Sequence, residues 1–275
     1  MPSNREAFFQ AKNLGVEPSI IYYALQEVNK LDYFELIQHF DDEIINFKLF
    51  NNAINRYLKG EMIEYIFNKT YFLSLPLFVN KNVLIPRQET EQLVLSTINK
   101  IVELFHDQKF TLADVCTGSG AIGIALASKL PQNEYYLSDI STDALNVCNR
   151  NIKGLGIDAT VVEGDMLKPF IKKGIKLDVI VCNPPYIENT NTIDKKTWEQ
   201  EPHLALLATP CTKFYEELLK DLPEVINEKH LIAFEIGEDM EDSLTSLVMK
   251  YCPNDNYEFQ KDLYGKTRFL FIYNK

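Results

Sequence analysis

The chain has 275 residues, of which 46% are hydrophobic and 24% charged, and its net charge is −11. This is ordinary globular composition, sufficient for one large domain or two unequal ones, and the acidic balance disfavours an unassisted grip on nucleic-acid phosphates. Cys116, Cys148, Cys182, Cys211 and Cys252 form no Cys-x-x-Cys pair, and His39, His106, His203 and His230 are scattered, so neither a disulfide framework nor a metal site is indicated.

Residues 1 to about 60 are predicted to be helical throughout. The amino terminus lacks a charged-then-apolar signal pattern and no apolar stretch approaches membrane-spanning length, so a soluble, cytoplasmic protein is expected. Pro18 and Ser19 open a helix with Ile20, Tyr23, Ala24 and Val28 at helical spacing. Asp32 caps the stretch 33–37, and an amphipathic run from Ile44 to Leu58 stops at Gly60. No triplet here resembles a catalytic group, so residues 1–68 are expected to form a helical domain for docking or stability. Residues 69–88 read as a hairpin linker, with Tyr71-Phe72-Leu73 and Leu77-Phe78-Val79 separated by a segment containing Pro76.

From residue 89 to 275 the pattern changes. A helical stretch through Leu104 is followed by strand-like runs at 111–115, 135–139, 160–163 and 177–182, with helical runs at 121–130 and 142–152 between them. Such alternation means α/β architecture, a parallel sheet with helices on both faces. Near the end, Tyr257-Glu258-Phe259 and Arg268–Tyr273 read as two strands with no helix between, as in a reversed hairpin at the sheet edge.

The run 112–115 leads into Cys116-Thr117-Gly118-Ser119-Gly120-Ala121-Ile122-Gly123 and then a helix. Glycines let the chain turn sharply and let a ligand approach the helix amino terminus. Asp139, nineteen positions beyond Gly120, can accept both hydroxyls of a ribose. The Gly-x-Gly-x-x-Gly spacing leaves NAD and S-adenosylmethionine both open. Two features lean toward the latter. Asp114 can meet the cationic end of that ligand, or cap the loop instead. Asp165 can accept from an adenine amino group while Met166 covers the ring.

Asn183-Pro184-Pro185-Tyr186 closes the apolar run 177–182. Two prolines cannot continue a sheet, so the chain leaves it in a stiff extended turn. That rim suits a planar amide or amino nitrogen: Asn183 Oδ1 and the Pro184 carbonyl accept its two N–H groups, and Tyr186 covers its plane. Nicotinamide chemistry has no use for such a clamp at the ligand edge of the sheet. Methyl transfer to nitrogen does.

With these residues in hand, the chain resembles the HemK/PrmC family of protein-(glutamine-N5) methyltransferases. The shared elements include Ile85-Pro86-Arg87-Gln88-Glu89-Thr90-Glu91, the loop 117–121, Asp139-Ile140-Ser141, Asn183-Pro184-Pro185-Tyr186-Ile187, Glu201-Pro202, Phe234-Glu235-Ile236-Gly237 and Asp262-Leu263-Tyr264-Gly265. The resemblance implies a small helical domain joined to a seven-stranded Rossmann-like methyltransferase domain using S-adenosylmethionine. It implies a glutamine in the Gly-Gly-Gln loop of class-1 peptide chain release factors as substrate. From the acidic charge and the lack of a long apolar stretch, no direct nucleic-acid partner and no membrane are expected, and the chain is expected to be a monomer. Carried over, Cys116, Thr117, Gly118, Ser119, Gly120, Asp139, Asp165, Met166 and Asn183 hold the cofactor, and Asn183, Pro184, Pro185 and Tyr186 receive the glutamine. Ribosomal-protein glutamine or a nucleic-acid amino group remains the alternative acceptor. Arg87, Glu89 and Glu91 either form a structural ion-pair cluster or meet the release factor. Departures stand at Cys116, where the family has glycine, and at Asn227-Glu228-Lys229-His230, in place of a glycine-rich turn before the fifth strand.

Overall fold

Ser3 accepts from the Glu6 N–H while the Glu6 carboxylate accepts from the Ser3 N–H, and this capping box opens α1 (Asn4–Asn13). The computed structural model describes residues 1–275, in two units, Met1–Lys69 and Thr70–Lys275. In the first unit α2 (Pro18–Asn29) begins with proline, whose missing N–H would have no helical partner anyway. Asp32 and Glu35 form a second capping box for α3 (Tyr33–Gln38), and Asn46 caps α4 (Phe47–Leu58) before the short α5 (Ile63–Phe67). Their apolar faces meet in one core built from Phe8, Ile21, Leu25, Leu36, Phe50 and Ile63. The buried Asn29 carboxamide donates to Asn4 Oδ1 and the Leu25 carbonyl and accepts from the Ile45 N–H, so it is not left unpaired.

The second unit begins with a hairpin, β1 (Thr70–Phe72) and β2 (Leu75–Leu77). Its two turn residues, Leu73 and Ser74, both have positive φ, a turn conformation that glycine or asparagine normally supplies. The Glu91 carboxylate accepts from the Leu73 N–H at 2.7 Å and holds the turn from outside. There follow α6 (Gln88–Phe105), β3 (Thr111–Val115), α7 (Ala121–Lys129), β4 (Glu134–Asp139), α8 (Thr142–Leu155), β5 (Thr160–Glu163), α9 (Lys168–Lys173) and β6 (Leu177–Cys182). The chain ends with α10 (Lys195–Gln200), α11 (Lys213–Asp221), β7 (Ile226–Glu235), α12 (Glu241–Tyr251), β8 (Asn256–Lys261) and β9 (Thr267–Asn274).

Seven strands form one sheet in the order β5-β4-β3-β6-β7-β9-β8. All pairings are parallel except those of β9, which runs antiparallel between β7 and β8. The expected reversed hairpin is therefore present, with β8 as the edge strand. Alternate residues feed two cores: Leu112 packs on one face of the sheet, Ala113 and Val115 on the other. One expectation fails. Asn227–His230 lies inside β7 and not in a turn before it, because pairing with β6 already begins at Leu177↔Ile226 and resumes at Val179↔Leu231, with the four residues forming the irregularity between. No helix is long and apolar enough to cross a membrane.

Candidate active site

The order of the sheet reverses between β3 and β6: the chain winds outward through β4 and β5 and then returns to the other side of β3. Ligands of open α/β sheets bind at such a switch, beyond the carboxyl ends of the strands. Val115 and Cys182 are register partners, so the next residues, Cys116 and Asn183, leave the sheet side by side. A cavity of about 170 Å³ opens there, lined by Cys116, Thr117, Gly118, Ser119, Asp139, Asp165, Met166, Asn183 and Pro185, among others. A larger hollow, about 470 Å³, lies at the opposite, amino ends of β3 and β4 and contains none of the predicted site residues.

The loop after β3 is bent by three consecutive left-handed positions at alternate residues: Cys116 (φ 60°), Gly118 (φ 55°) and Gly120 (φ 87°). A side chain on Gly120 would meet Ile124 Cδ1 at 2.8 Å and Cys148 Sγ at 2.9 Å. Gly120 thus serves the packing beneath the loop and does not itself line the cavity. Asp139 holds the loop from β4: its Oδ2 accepts from the Gly118 N–H and its Oδ1 from the Ser141 N–H, both at 2.9 Å. A carboxylate has about four acceptor sites, so each oxygen keeps capacity for a further donor such as a ribose hydroxyl. Burial raises the Asp139 carboxyl above its ordinary value, and the N–H groups of Ser141, Gly118 and Ile140 oppose that rise.

Asp114 resolves in favour of the cap. Its Oδ2 accepts from Thr117 Oγ1 at 2.5 Å and from the Gly123 N–H at 2.8 Å, it is fully buried, and it does not line the cavity. Asp165 lines the cavity and is paired with Lys168, while Met166 is 3% exposed, with its sulfur 3.7 Å from Cys116 Sγ.

On the other side, Asn183 Nδ2 donates to Thr90 Oγ1 at 3.2 Å, and Thr90 Oγ1 donates to Glu235 Oε2 at 2.6 Å. Pro184 is buried and, like Tyr186, does not line the cavity. The Tyr186 ring lies against Gly237, where a side chain would come within 3.1 Å of it, and its hydroxyl reaches Glu235 Oε1 at a long 3.5 Å. Burial raises the Tyr186 phenol, with Glu235 adding to the effect.

Two further residues shape the site: Asn151, which was not singled out from the sequence, and Glu201, which stood there only as part of a shared motif without a role. Asn151 of α8 donates to the carbonyls of Ser119 (2.8 Å) and Phe78 (3.0 Å) and accepts from the Phe78 N–H (2.7 Å), tying the loop after β3 to the segment after the hairpin. Its signal was available: it continues the buried helical stripe Val147, Cys148, Ile152 with a polar residue. Glu201, 3% exposed, accepts from the Ile85 N–H at 3.0 Å and pairs with Arg87, while the Glu91 carboxylate accepts from the Leu73 N–H of the hairpin turn.

Residues 90–200 match a model of the methyltransferase small domain. A release factor glutamine methyltransferase of Bacillus cereus is 37% identical over 227 residues, covering 82% of this chain and 80% of that protein. One from Mycoplasma mycoides subsp. mycoides is 34% identical over 269 residues, covering 95% and 94%. The fold recurs in a solved Thermus thermophilus 16S rRNA N2 G1207 methyltransferase with AdoMet and guanosine, at TM-score 0.55 and 12% identity over 75% of this chain and 50% of that one. With more than a third of positions identical over four fifths of its length, the chain belongs to the release factor glutamine methyltransferase family.

Proposed function

We propose that this chain transfers a methyl group from S-adenosylmethionine to the side-chain amide nitrogen, N5, of the glutamine in the Gly-Gly-Gln loop of class-1 peptide chain release factors. The observation that carries the reading is the side-by-side exit of Cys116 and Asn183 from register partners on β3 and β6. A ribose-type carboxylate and a carboxamide acceptor thereby share one cavity. The relatives named as release factor glutamine methyltransferases support the choice of acceptor.

The donor set fits the cofactor. Asp139 retains acceptor capacity for ribose hydroxyls, Met166 and Ile140 offer apolar cover for a base, and Thr117, Gly118 and Ser119 contribute the loop. Gly120 supports them from below, and Asp165 is the acceptor for an exocyclic amine. When bound, S-adenosylmethionine supplies an activated methyl group on a sulfonium centre.

An amide nitrogen is a weak nucleophile because its lone pair is delocalised, so the protein's task is alignment and exclusion of water. Asn183 Oδ1 and the Pro184 carbonyl accept the two N–H groups, aim the nitrogen, and stabilise the positive charge that develops on it. Pro185 stiffens the turn, and Tyr186 packs against the amide plane. We assign residues 1–68 to docking of the protein substrate, 69–88 to a hairpin linker and 89–275 to the methyltransferase domain.

The test is incubation with labelled S-adenosylmethionine and a release factor, beside its Gly-Gly-Ala variant. Label on the first alone is expected; label on neither, with cofactor bound, turns attention to ribosomal protein or nucleic acid. Asn183→Ala should lower turnover on the order of 100-fold or more, with cofactor affinity falling far less. Undiminished turnover in that variant would remove Asn183 from the mechanism.

A further inference from the structure

Behind Asn183 lies a buried polar relay that neither the cofactor contacts nor the amide contacts use. Thr90 is 4% exposed and Glu235 3%. A hydroxyl has one hydrogen to give, and Thr90 gives it to Glu235 Oε2. What faces Thr90 from Asn183 must then be a donor, which is Nδ2. The carboxamide oxygen is left without a donor from the protein. It is not a buried orphan, since only Asp114 Oδ1 is buried without a partner, so it is open to the cavity that Asn183 lines.

We infer that Thr90 and Glu235 are positioning residues for methyl transfer: ionised Glu235 orders the Thr90 hydroxyl, and Thr90 in turn fixes which face of the Asn183 carboxamide is offered to the substrate amide. This rests on the proposed glutamine methylation and deepens it. An unsupported carboxamide can rotate and present its NH₂ to a substrate NH₂, which is a repulsive contact; the relay forbids that rotation.

The arrangement also makes the acceptor sensitive to pH. The groups facing Glu235 are Thr90 and Glu89 of α6, Asn183 and Tyr186 after β6, Arg268 of β9, and Tyr215 of α11, whose hydroxyl donates to the Glu235 carbonyl at 2.8 Å. Arg268 is shared with Asp262, 3.4 Å away. Burial pushes the Glu235 carboxyl up to about 7, against the opposing effects of Thr90, Arg268 and Asn183. Once protonated, Glu235 donates to Thr90 Oγ1, the Thr90 hydrogen turns to Asn183, and the carboxamide oxygen is drawn away from the substrate.

The experiment uses the full chain with ¹⁵N-labelled asparagine side chains and compares wild type with Thr90→Val, Thr90→Ser and Glu235→Gln. In wild type the Asn183 amide resonance, assigned by its loss in Asn183→Ala, should shift with pH around 7, and kcat should fall on the acid side of the same midpoint. Thr90→Val should abolish both pH responses and lower kcat at pH 8 on the order of tenfold, with substrate KM little changed and the melting temperature lowered by the loss of a buried hydrogen-bond partner. Thr90→Ser, which restores the hydroxyl, should restore them. If Thr90→Val does not fold, Glu235→Gln decides the matter by the same loss of both responses. An Asn183 resonance that ignores pH, or a Thr90→Val enzyme with wild-type kcat and the same acid limb, overturns the inference. A wild type that binds cofactor but does not methylate the release factor refutes the proposed function instead, and the resonance still judges the relay.

Discussion

Asp114 is a carboxylate with no access to water, two donors on one oxygen and none on the other. Burial raises it to about 7, against the pull of Thr117 and Gly123, with Asp139 adding to the rise. An unfolded aspartate titrates near 3.9, so between about pH 4 and pH 7 the folded protein holds a proton that the unfolded chain has lost. The contribution of this group is therefore complete at low pH and disappears as pH rises through 7. Asp114→Asn keeps the acceptor for Thr117 and Gly123 but cannot ionise. Urea denaturation at pH 4.5, 6 and 7.5 should show that the variant removes a pH-dependent loss of a few kcal/mol from the wild-type profile. Equal slopes in the two proteins would mean that Asp114 is already charged at pH 5. The sequence left Asp114 between ligand and cap, yet strand periodicity bears on the choice. Ala113 and Val115 pack on one face of the sheet. Asp114 must then face the other, beneath the α7 amino terminus that supplies the Gly123 N–H.

The loop after β3 shows how local geometry was legible where glycine marks it and obscure where another residue takes its role. Gly118 and Gly120 announce left-handed positions; Cys116 occupies a third without announcing it. Left-handed backbone costs a residue with a side chain about 1–2 kcal/mol, while glycine loses about 0.5–1 kcal/mol through its freer unfolded state. Cys116→Gly should therefore change stability by no more than about 1 kcal/mol and leave cofactor affinity within a few-fold. Cys116→Val, β-branched at the same φ, should weaken both. Calorimetric titration with S-adenosylmethionine and thermal melts of the two variants check this, and a tolerated valine would mean that the loop relaxes to accommodate it. The same limit explains the hairpin β1–β2. Its turn residues, Leu73 and Ser74, carry no turn signature, and the Glu91 carboxylate that supports them stands eighteen residues away. In β7 the error ran the other way: Asn227–His230 has the polarity of a turn, yet it is a bulge within the strand, lying between the residues Ile226 and Leu231 that pair with β6, and only His230 of the four pairs with β9.

At the scale of the whole molecule, the two units have independent interiors by composition. The first draws its core from residues between Ala7 and Ile63. The second draws its two cores from residues between Phe72 and Ile272, one on each face of the seven-stranded sheet. Residues 70–275 also contain every side chain assigned to the cofactor, the amide and the Asn183 relay. This fragment should consequently fold alone, bind S-adenosylmethionine with the affinity of the full chain, and methylate a short Gly-Gly-Gln peptide at an undiminished kcat. If residues 1–68 dock the protein substrate, the fragment loses only binding that is equal in ground and transition states. KM for the intact release factor should then rise on the order of tenfold or more while kcat stays put. Steady-state kinetics on peptide and intact factor, with fragment and full chain side by side, separates the outcomes. A fragment with unchanged KM for the intact factor assigns the helical unit to stability alone. One that loses kcat on the peptide as well shows that the helical unit supports the site itself.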